Sequence, residues 1–449
     1  MAIGTQTAAP PEVNNRREIF GWMMYDWANS AFSTTTVTVF LGPYLGAMVR
    51  QAAGAAGYVY LLGIPIAPDS FFAYCVSTSV FLQVFLLPVL GAISDYTNLR
   101  KQMLMLFATA GAIAASLLFF LTADTYLLGA LCFIFANVAF GASIVFYNAY
   151  LPDIASLDRR DQVSSQGWGL GYAGGAVLLL LNLLLYQFRD SLGISEPLAV
   201  RISLLSAGLW WLGFAQIPFA TLRARRARRT LPPGESYVGI GFRQLAATFR
   251  EMRHFPETIR YLVAYLLYND GIQTVIAMSV TFGAVELGMK SSELILLTLM
   301  VQVMAFAGAF FFGWLAGRIT AKPALIISLV IWCGIVIAAW FVQDTTQFWI
   351  MAAFVALVMG GSQAISRSLF SKMIPPNKEA EFFSFYEVSE RGTSWIGPLL
   401  FGLANQFFGS MRYSILSLIV LFVAGLSVLI TVNVARAIRE AAREPEAAA

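Results

Sequence analysis

Long apolar runs separated by short polar segments follow one another along almost the whole chain. A helix that crosses a bilayer needs about 20 consecutive, mostly apolar residues. Twelve stretches reach that length, and we number them spans 1 to 12: 20–48, 70–94, 102–122, 126–150, 165–187, 202–221, 258–285, 294–316, 324–343, 347–371, 382–408 and 413–435. The pattern predicts an all-α membrane protein with twelve transmembrane helices.

Composition supports this prediction and excludes several kinds of site. The chain is 58% hydrophobic and 12% charged, whereas about 25% of a soluble domain is charged. The single histidine, His254, and the isolated cysteines Cys75, Cys132 and Cys333 offer no metal-ligand or disulfide spacing. We therefore expect no metal and no cofactor. Residues 1–15 carry no basic side chain, so we expect no cleavable signal peptide.

Basic residues are distributed unevenly between alternate connections. Most of them lie in the two tails and in the connections that follow spans 2, 4, 6, 8 and 10. The other connections hold only Arg50, Arg189, Arg201, Lys290 and Arg412. Cytoplasmic segments are enriched in Lys and Arg, so both termini are predicted to be cytoplasmic.

One long connection divides six spans from six. It contains "LRARRARR" and then "GFRQLAATFREMRHF", which has apolar residues at helical spacing. This predicts an amphipathic helix on the cytoplasmic surface, the alternative being a solvated basic linker that only sets topology. The predicted organisation is a tail at 1–18, an N-terminal half at 19–221, the linker at 222–257, a C-terminal half at 258–436 and a tail at 437–449.

The two halves contain similar segments at corresponding places. "GAISDYTNLRK" follows span 2 with Gly91, Asp95, Arg100 and Lys101, and "GWLAGRITAKP" follows span 8 with Gly313 and Arg318. The second copy has Gly317 where the first has Asp95. "YDWANS" in span 1 is echoed by "YNDGIQT" in span 7. Such repeated halves are typical of secondary transporters.

These segments resemble known families. Gly91, Asp95, Arg100 and Lys101 resemble the loop signature of the major facilitator superfamily, although Asn98 stands where that signature usually has glycine. "YDWANSAF", "LPDIASLDRRDQVSSQGWGLGYAGG" and "SRSLFSKMIPPNKEAEFFSFYEVSERGTSWIGPLLFG" resemble its vacuole-effluxer-like members, whose fungal relatives export amino acids. The resemblance covers nearly the whole chain apart from the tails. It implies two pseudo-symmetric six-helix halves, with spans 1, 4, 7 and 10 lining a cavity and spans 3, 6, 9 and 12 at the periphery.

Polar residues inside the spans are the candidate substrate or proton site. The four spans expected at the periphery contain no Asp, Glu, Lys or Arg. A charge at the centre of a membrane helix costs about 2.5–3.5 kcal/mol, so the remaining intramembrane charges are expected to face the interior. The candidates are Asp26, Asn29, Asn148, Asn269, Asp270, Gln273, Gln363, Arg367, Glu387, Glu390 and Arg391.

The two intramembrane aspartates are the leading candidates. Asp26 and Asn29 are three residues apart and share a helix face. Asp26 or Asp270 can bind a substrate ammonium or carry a proton, the alternative being a permanent structural pair. For Asn148, a structural interhelical hydrogen bond is the alternative to substrate contact.

The basic residues within spans 10 and 11 leave more alternatives open. Glu387 and Arg391 are four residues apart and are expected to form an intrahelical pair, either inert or gating. Arg391 beside Asp26 or Asp270 would suit a zwitterion. Arg367 lies near the cytoplasmic end of span 10, and snorkelling to the membrane surface is the alternative to a role in the site.

The charged loop after span 2 is predicted to take part in gating. The spacing allows Asp95 to cap a neighbouring helix or to pair with a basic residue across the halves in one conformation. The alternative is that Asp95, Arg100 and Lys101 only set topology.

One motif is a decoy. Residues 169–174, "GLGYAG", match the dinucleotide fingerprint but open a membrane span rather than follow a strand. Its glycines, with Gly167 and Gly175, are predicted to permit close helix packing.

We therefore predict a secondary active transporter, not an enzyme. No phosphate-binding loop, H-E-x-x-H or G-x-S-x-G is present. The favoured substrate is a small polar organic solute such as an amino acid, exported or coupled to protons. The alternatives are a non-transporting sensor, a peptide or sugar transporter, or a membrane enzyme. We expect a monomer in a bacterial inner membrane, with lipid around it and no nucleic acid bound.

Overall fold

The protein is described from a computed structural model. The structure describes residues 13–61, 63–66, 68–95, 97–225, 252–289, 291–376, 378–391, 400–401 and 411–447. Most of the predicted linker helix, the end of span 11 and the outermost parts of both tails lie outside these residues.

Helices account for nearly all of the described chain. In the N-terminal half they are Arg16–Ala31, Leu41–Ala53, Pro68–Asp95, Arg100–Leu117, Tyr126–Asn148, Leu151–Ile154, Arg160–Gln187 and Glu196–Thr221. A π-helical segment, Phe32–Phe40, joins the first two of these within span 1. In the C-terminal half they are Pro256–Val285, Ser291–Ile319, Ala321–Ala339, Thr345–Lys372, Glu379–Arg391, Met411–Ser417, Ile419–Thr431 and Val434–Ala447. Strands Val59–Leu61 and Ile64–Ile66 form one antiparallel hairpin after span 1.

Ten helices of the described chain are long and apolar enough to cross a membrane. They correspond to predicted spans 1–6, 8–10 and 12. Span 7 is the 30-residue helix Pro256–Val285, and span 11 is described over Glu379–Arg391 and residues 400–401. The outer surface of spans 3, 9 and 12 is apolar, as contact with lipid requires: Leu106, Ile113, Leu117, Ile327, Val330, Ile337, Val420, Val423 and Ile430 are exposed.

One face of the bundle gathers both ends of the chain and alternate connections, and we call it the basic face. There the segment before span 1 contacts the connections after spans 4 and 6, and the segment before span 7 contacts the end of span 12. The hydrogen-bonded pairs are Asn14 with Ser156, Glu18 with Arg223, Arg100 with Asp153, Glu257 with Asn433, and Lys322 with Val432. This is the face that the charge distribution predicts to be cytoplasmic.

The two halves meet mainly through span 5, which packs on spans 8 and 10, and through span 2, which packs on span 11. Span 5 also packs closely on span 1, because its glycines leave room. A Cβ atom on Gly174 would lie 2.5 Å from the backbone oxygen of Trp27. The prediction that the fingerprint-like glycines are packing residues is therefore confirmed.

Candidate functional site

A buried ion pair joins the two halves. Nη1 of Arg367, in span 10, lies 3.1 Å from Oδ2 of Asp26, in span 1. Arg367 is 3% exposed and Asp26 is 7% exposed. The alternative that Arg367 only snorkels to the cytoplasmic surface is therefore wrong. Its helix packs against span 5, and its side chain hydrogen-bonds there to Ser164 and so points into the protein.

The hydrogen-bond partners of this ion pair come from two helices of the N-terminal half, spans 4 and 5. Tyr147 donates its hydroxyl hydrogen to Oδ2 of Asp26 at 2.7 Å. Arg367 donates from Nε to Oγ of Ser164 at 2.9 Å and from Nη2 to the backbone oxygen of Ser164 at 2.8 Å. All three nitrogens of the guanidinium therefore have an acceptor.

Three aromatic rings surround the same guanidinium. Its central carbon lies 4.8 Å from the ring centre of Trp22, 5.3 Å from that of Trp168 and 5.7 Å from that of Tyr147. Trp22 and Tyr147 also stack on each other, with ring centres 4.5 Å apart. Cations bind the faces of such rings favourably. We call Trp22, Asp26, Tyr147, Ser164 and Trp168 the arginine box.

Gly167 makes room for the arginine box. A Cβ atom at this position would lie 2.7 Å from Oδ2 of Asp26 and 3.1 Å from Nη2 of Arg367. A side chain here would displace one partner of the ion pair, so the small residue is a steric requirement of the site.

A second buried hydrogen bond crosses between the halves. Nδ2 of Asn148, at the end of span 4, donates to Oε1 of Glu387, in span 11, at 2.9 Å. Tyr265 donates to Oε2 of Glu390 at 3.0 Å, and Nδ2 of Asn269 donates to the backbone oxygen of Glu390 at 3.4 Å. The predicted partner of Glu387, the side chain of Arg391, lies outside the described part of the chain.

The remaining candidates lie in spans 1, 7 and 10. Asn29 and Asp270 are buried in spans 1 and 7. Gln363 accepts a hydrogen bond from Tyr172 across the halves. Gln273 is partly exposed. The structure thus brings together Asp26 with Arg367, Asn148 with Glu387, and Asn269 with Glu390.

A charged cluster closer to the basic face also connects the halves. Nη2 of Arg100 contacts Asp95 at 2.9 Å and Glu379, in the C-terminal half, at 3.2 Å. Asp95 accepts hydrogen bonds from the backbone nitrogens of Ala380 and Glu381 at 3.2 and 2.9 Å. Its carboxylate therefore caps the first turn of the span 11 helix, where anions are stabilised.

Glycine lets these two helices approach. A Cβ atom on Gly91 would lie 2.6 Å from the backbone oxygen of Ala380. At the corresponding place in the other half, a Cβ atom on Gly313 would lie 2.5 Å from Cβ of Ser165. The similarity between the two halves ends at this glycine. Unlike Arg100, Arg318 is exposed, and its guanidinium lies over the ring of Trp314, 4.8 Å from the ring centre. Lys101 is partly exposed.

Where span 5 meets the C-terminal half, a different ion pair joins the two halves. Nζ of Lys372, at the end of span 10, lies 2.6 Å from Oδ2 of Asp161, at the start of span 5. Ser164 also donates to the backbone oxygen of Ala364 at 2.9 Å. Polar contacts thus fasten the halves from the basic face inward to the arginine box.

Comparison with known proteins agrees with this geometry. The sequence matches the family described as vacuole effluxer Atg22 like over residues 14–160 and 153–442. The chain belongs to this family. It is 33% identical over 411 residues to the MFS-type transporter YxiO of Bacillus subtilis, covering 91% of this chain and 93% of that one. It is 28% identical over 469 residues to autophagy-related protein 22 of Yarrowia lipolytica, covering 85% and 79%.

Solved structures show the fold of this Atg22-like protein. The human organic anion transporter MFSD10 (TETRAN) aligns with a TM-score of 0.70 at 13% identity, over 92% of this chain and 99% of that one. The major facilitator transporter FucP in its outward conformation aligns with a TM-score of 0.65 at 12% identity, over 93% and 98%. The predicted family and the major facilitator fold are confirmed, with ten of the twelve predicted spans identified in the described chain: the protein is a multi-pass membrane protein and an MFS-type transporter.

Sequence reasoning missed most of the arginine box of this Atg22-like protein. It identified Asp26 and Arg367 but not their partners Trp22, Tyr147 and Ser164. A signal was present, because Trp22 lies one helical turn before Asp26 on the same face. No comparable signal links Ser164 to Arg367, which are distant in sequence and meet only through helix packing.

Proposed function

We propose that this transporter moves a small zwitterionic solute, an amino acid in the first place, by alternating access around Asp26 and Arg367. The observation that carries the proposal is the buried ion pair between the halves. Separating it would leave two charges without their counter-charge, and removal of one partner from such a buried pair costs about 3–5 kcal/mol. A cationic group of an amino acid and its carboxylate replace both partners at once, so binding would offset the cost of separating the halves.

We propose export and a route for proton coupling, both built on the same pair. A solute that separates the halves at the basic face would be taken up from the cytoplasm, which is export. A proton on Asp26 would also release Arg367, which gives a route for proton coupling. Both uses need Asp26 in an interior that excludes lipid, as its burial provides.

The proposed setting is a bacterial plasma membrane, with both termini cytoplasmic and the protein a monomer. The support is the positive-inside distribution and the similarity to a Bacillus subtilis transporter over nearly the whole of both chains.

The test is counterflow of radiolabelled amino acids in proteoliposomes. Wild type is compared with Asp26→Asn, Arg367→Gln and Asp270→Asn, and with Asp190→Asn as the matched control, because the side chain of Asp190 is 85% exposed in a connection. We expect saturable exchange that Asp26→Asn and Arg367→Gln abolish and Asp190→Asn leaves unchanged. Exchange that survives both substitutions in the arginine pair, or no exchange of any amino acid, would overturn the proposal.

A further inference from the structure

We propose that the arginine box of the N-terminal half is a binding site for the guanidinium group of a solute, and that Arg367 occupies this site in the state described here. This inference rests on the proposed function and narrows its substrate class to guanidinium compounds, such as amino acids with a guanidinium side chain. In the other state of the transport cycle, the solute's group takes the place of Arg367.

The first observation is where the partners of Arg367 come from. Within the described chain, its ion pair, its hydrogen bonds and its cation–π contacts all go to the N-terminal half. Spans 1, 4 and 5 supply them. The C-terminal half contributes the occupant and one acceptor, the backbone oxygen of Ala364, to which Ser164 donates. All the groups that contact the guanidinium therefore belong to the N-terminal half.

The second observation is that the box matches a guanidinium rather than any cation. Its acceptors, Oδ2 of Asp26 and Oγ and the backbone oxygen of Ser164, lie 2.8 to 3.1 Å from three different nitrogens. A planar guanidinium presents N–H donors to all of these acceptors at once, and it stacks well on aromatic faces. An ammonium is a strongly hydrated point charge and satisfies fewer of these contacts at once.

Alternating access then vacates the box. When the halves separate at the basic face, Arg367 withdraws with span 10, while Asp26 stays within the N-terminal half. A buried carboxylate without a counter-charge is costly, so the emptied box favours a cation that enters from the basic face. Arg367 therefore acts as a tethered competitor of the solute.

The experiment removes the competitor and asks whether a free guanidinium compound binds. Arg367→Ala and Arg367→Met are purified in detergent, and their apparent melting temperatures are followed with agmatine at millimolar concentration. The matched probe is 1,5-diaminopentane, which has an ammonium in place of the guanidinium. Asp26→Asn combined with Arg367→Met is the protein control, because it removes the charge of the box. Arg367→Met retains an unbranched side chain if Arg367→Ala does not fold.

We expect agmatine to raise the melting temperature saturably in an Arg367 variant, since a ligand that binds only the folded state stabilises it. Its apparent Kd should be about tenfold lower than that of 1,5-diaminopentane, which corresponds to about 1.4 kcal/mol. The double variant should show no shift.

Three results would overturn the inference: no agmatine shift in either folded Arg367 variant, an equal shift in the double variant, or equal affinity for the diamine. The first result, no agmatine shift, is also what we expect if a proton rather than a guanidinium compound replaces Arg367 beside Asp26. Failure of the box is distinguishable from failure of the proposed function. Amino-acid counterflow without agmatine binding would overturn only the inference, whereas agmatine binding without counterflow would overturn only amino-acid transport.

Discussion

Arg367 of the C-terminal half donates a hydrogen bond of 3.1 Å to Asp26 of the N-terminal half, and both side chains are buried. The two residues belong to helices that lie in different halves, so any motion that separates the halves at this depth must break the contact. Because both charges are buried away from water, each depends on the other for its stabilisation. The pair therefore stabilises the closed state only while both residues are present.

Substitution of one partner should therefore cost more than substitution of both. Asp26→Asn and Arg367→Gln should each lower the free energy of unfolding by about 3–5 kcal/mol, because each leaves an uncompensated buried charge. The neutral double variant should recover a large part of that loss. Thermal unfolding of the four proteins in detergent measures this coupling. Additive losses in the double variant would show that the two charges do not stabilise each other.

The hydroxyl of Tyr147 should contribute through its hydrogen bond to Asp26. Tyr147→Phe removes a charge-assisted hydrogen bond of 2.7 Å and should cost about 1.5–3 kcal/mol of stability, with slower counterflow. Tyr25→Phe is the matched control, since Tyr25 packs on the ring of Tyr147 and its buried hydroxyl lies against the uncharged side chains of Ser143 and Trp211 rather than a carboxylate. The idea fails if the two phenylalanine variants unfold at the same temperature.

Steric room at Gly167 is a separate requirement. Gly167→Ala would place a methyl group 2.7 Å from Oδ2 of Asp26 and 2.9 Å from the ring of Trp22. We expect lower stability and a large loss of counterflow. Gly213→Ala, where no atom lies within 4 Å, should be neutral or stabilise by about 0.5–1 kcal/mol. Normal transport by Gly167→Ala would mean that the box tolerates a shift of its carboxylate.

Release of the charged cluster at the basic face should favour the state that is open there. Arg100→Gln removes contacts to Asp95 and Glu379 and should therefore increase the fraction of molecules that are open at the basic face. Ser165, which is buried against Gly313, is replaced by cysteine as a reporter of this opening. The cysteine should react faster with a membrane-impermeant maleimide added at the basic face. The native cysteines are replaced first. Lys101→Gln is the control, because Lys101 is partly exposed. Equal labelling rates in the two variants would argue that Arg100 only sets topology.

The fold followed from the sequence because hydrophobic run length and basic-residue placement act locally along the chain. Each span could be recognised from its own residues, and Gly91 and Gly313 were found because the same segment occurs twice. Span 7, the 30-residue helix that contains Asp270, was likewise predicted from its own apolar run. These features need no knowledge of which helix packs against which.

The site was predicted only in part, because ion pairing depends on helix rotation and packing. For Arg367, the position near the end of span 10 left snorkelling to the membrane surface open, whereas its side chain is buried between the halves. The predicted partner of Glu387, Arg391 on its own helix, stays a prediction, and the hydrogen bond from Asn148 of span 4 was not foreseen. Contacts between distant segments, such as Arg100 with Glu379, become visible only when the halves are assembled.

The concentration of polar contacts toward the basic face makes the two sides of the membrane unequal for the solute. A solute that arrives from the opposite side reaches a protein that is already closed at the basic face. A solute that arrives at the basic face binds only the fraction of molecules that has opened there. Because apparent affinity falls in proportion to that fraction, half-saturation should require a higher concentration at the basic face. Transport asymmetry would then arise from the resting population, with the same residues binding the solute in both directions.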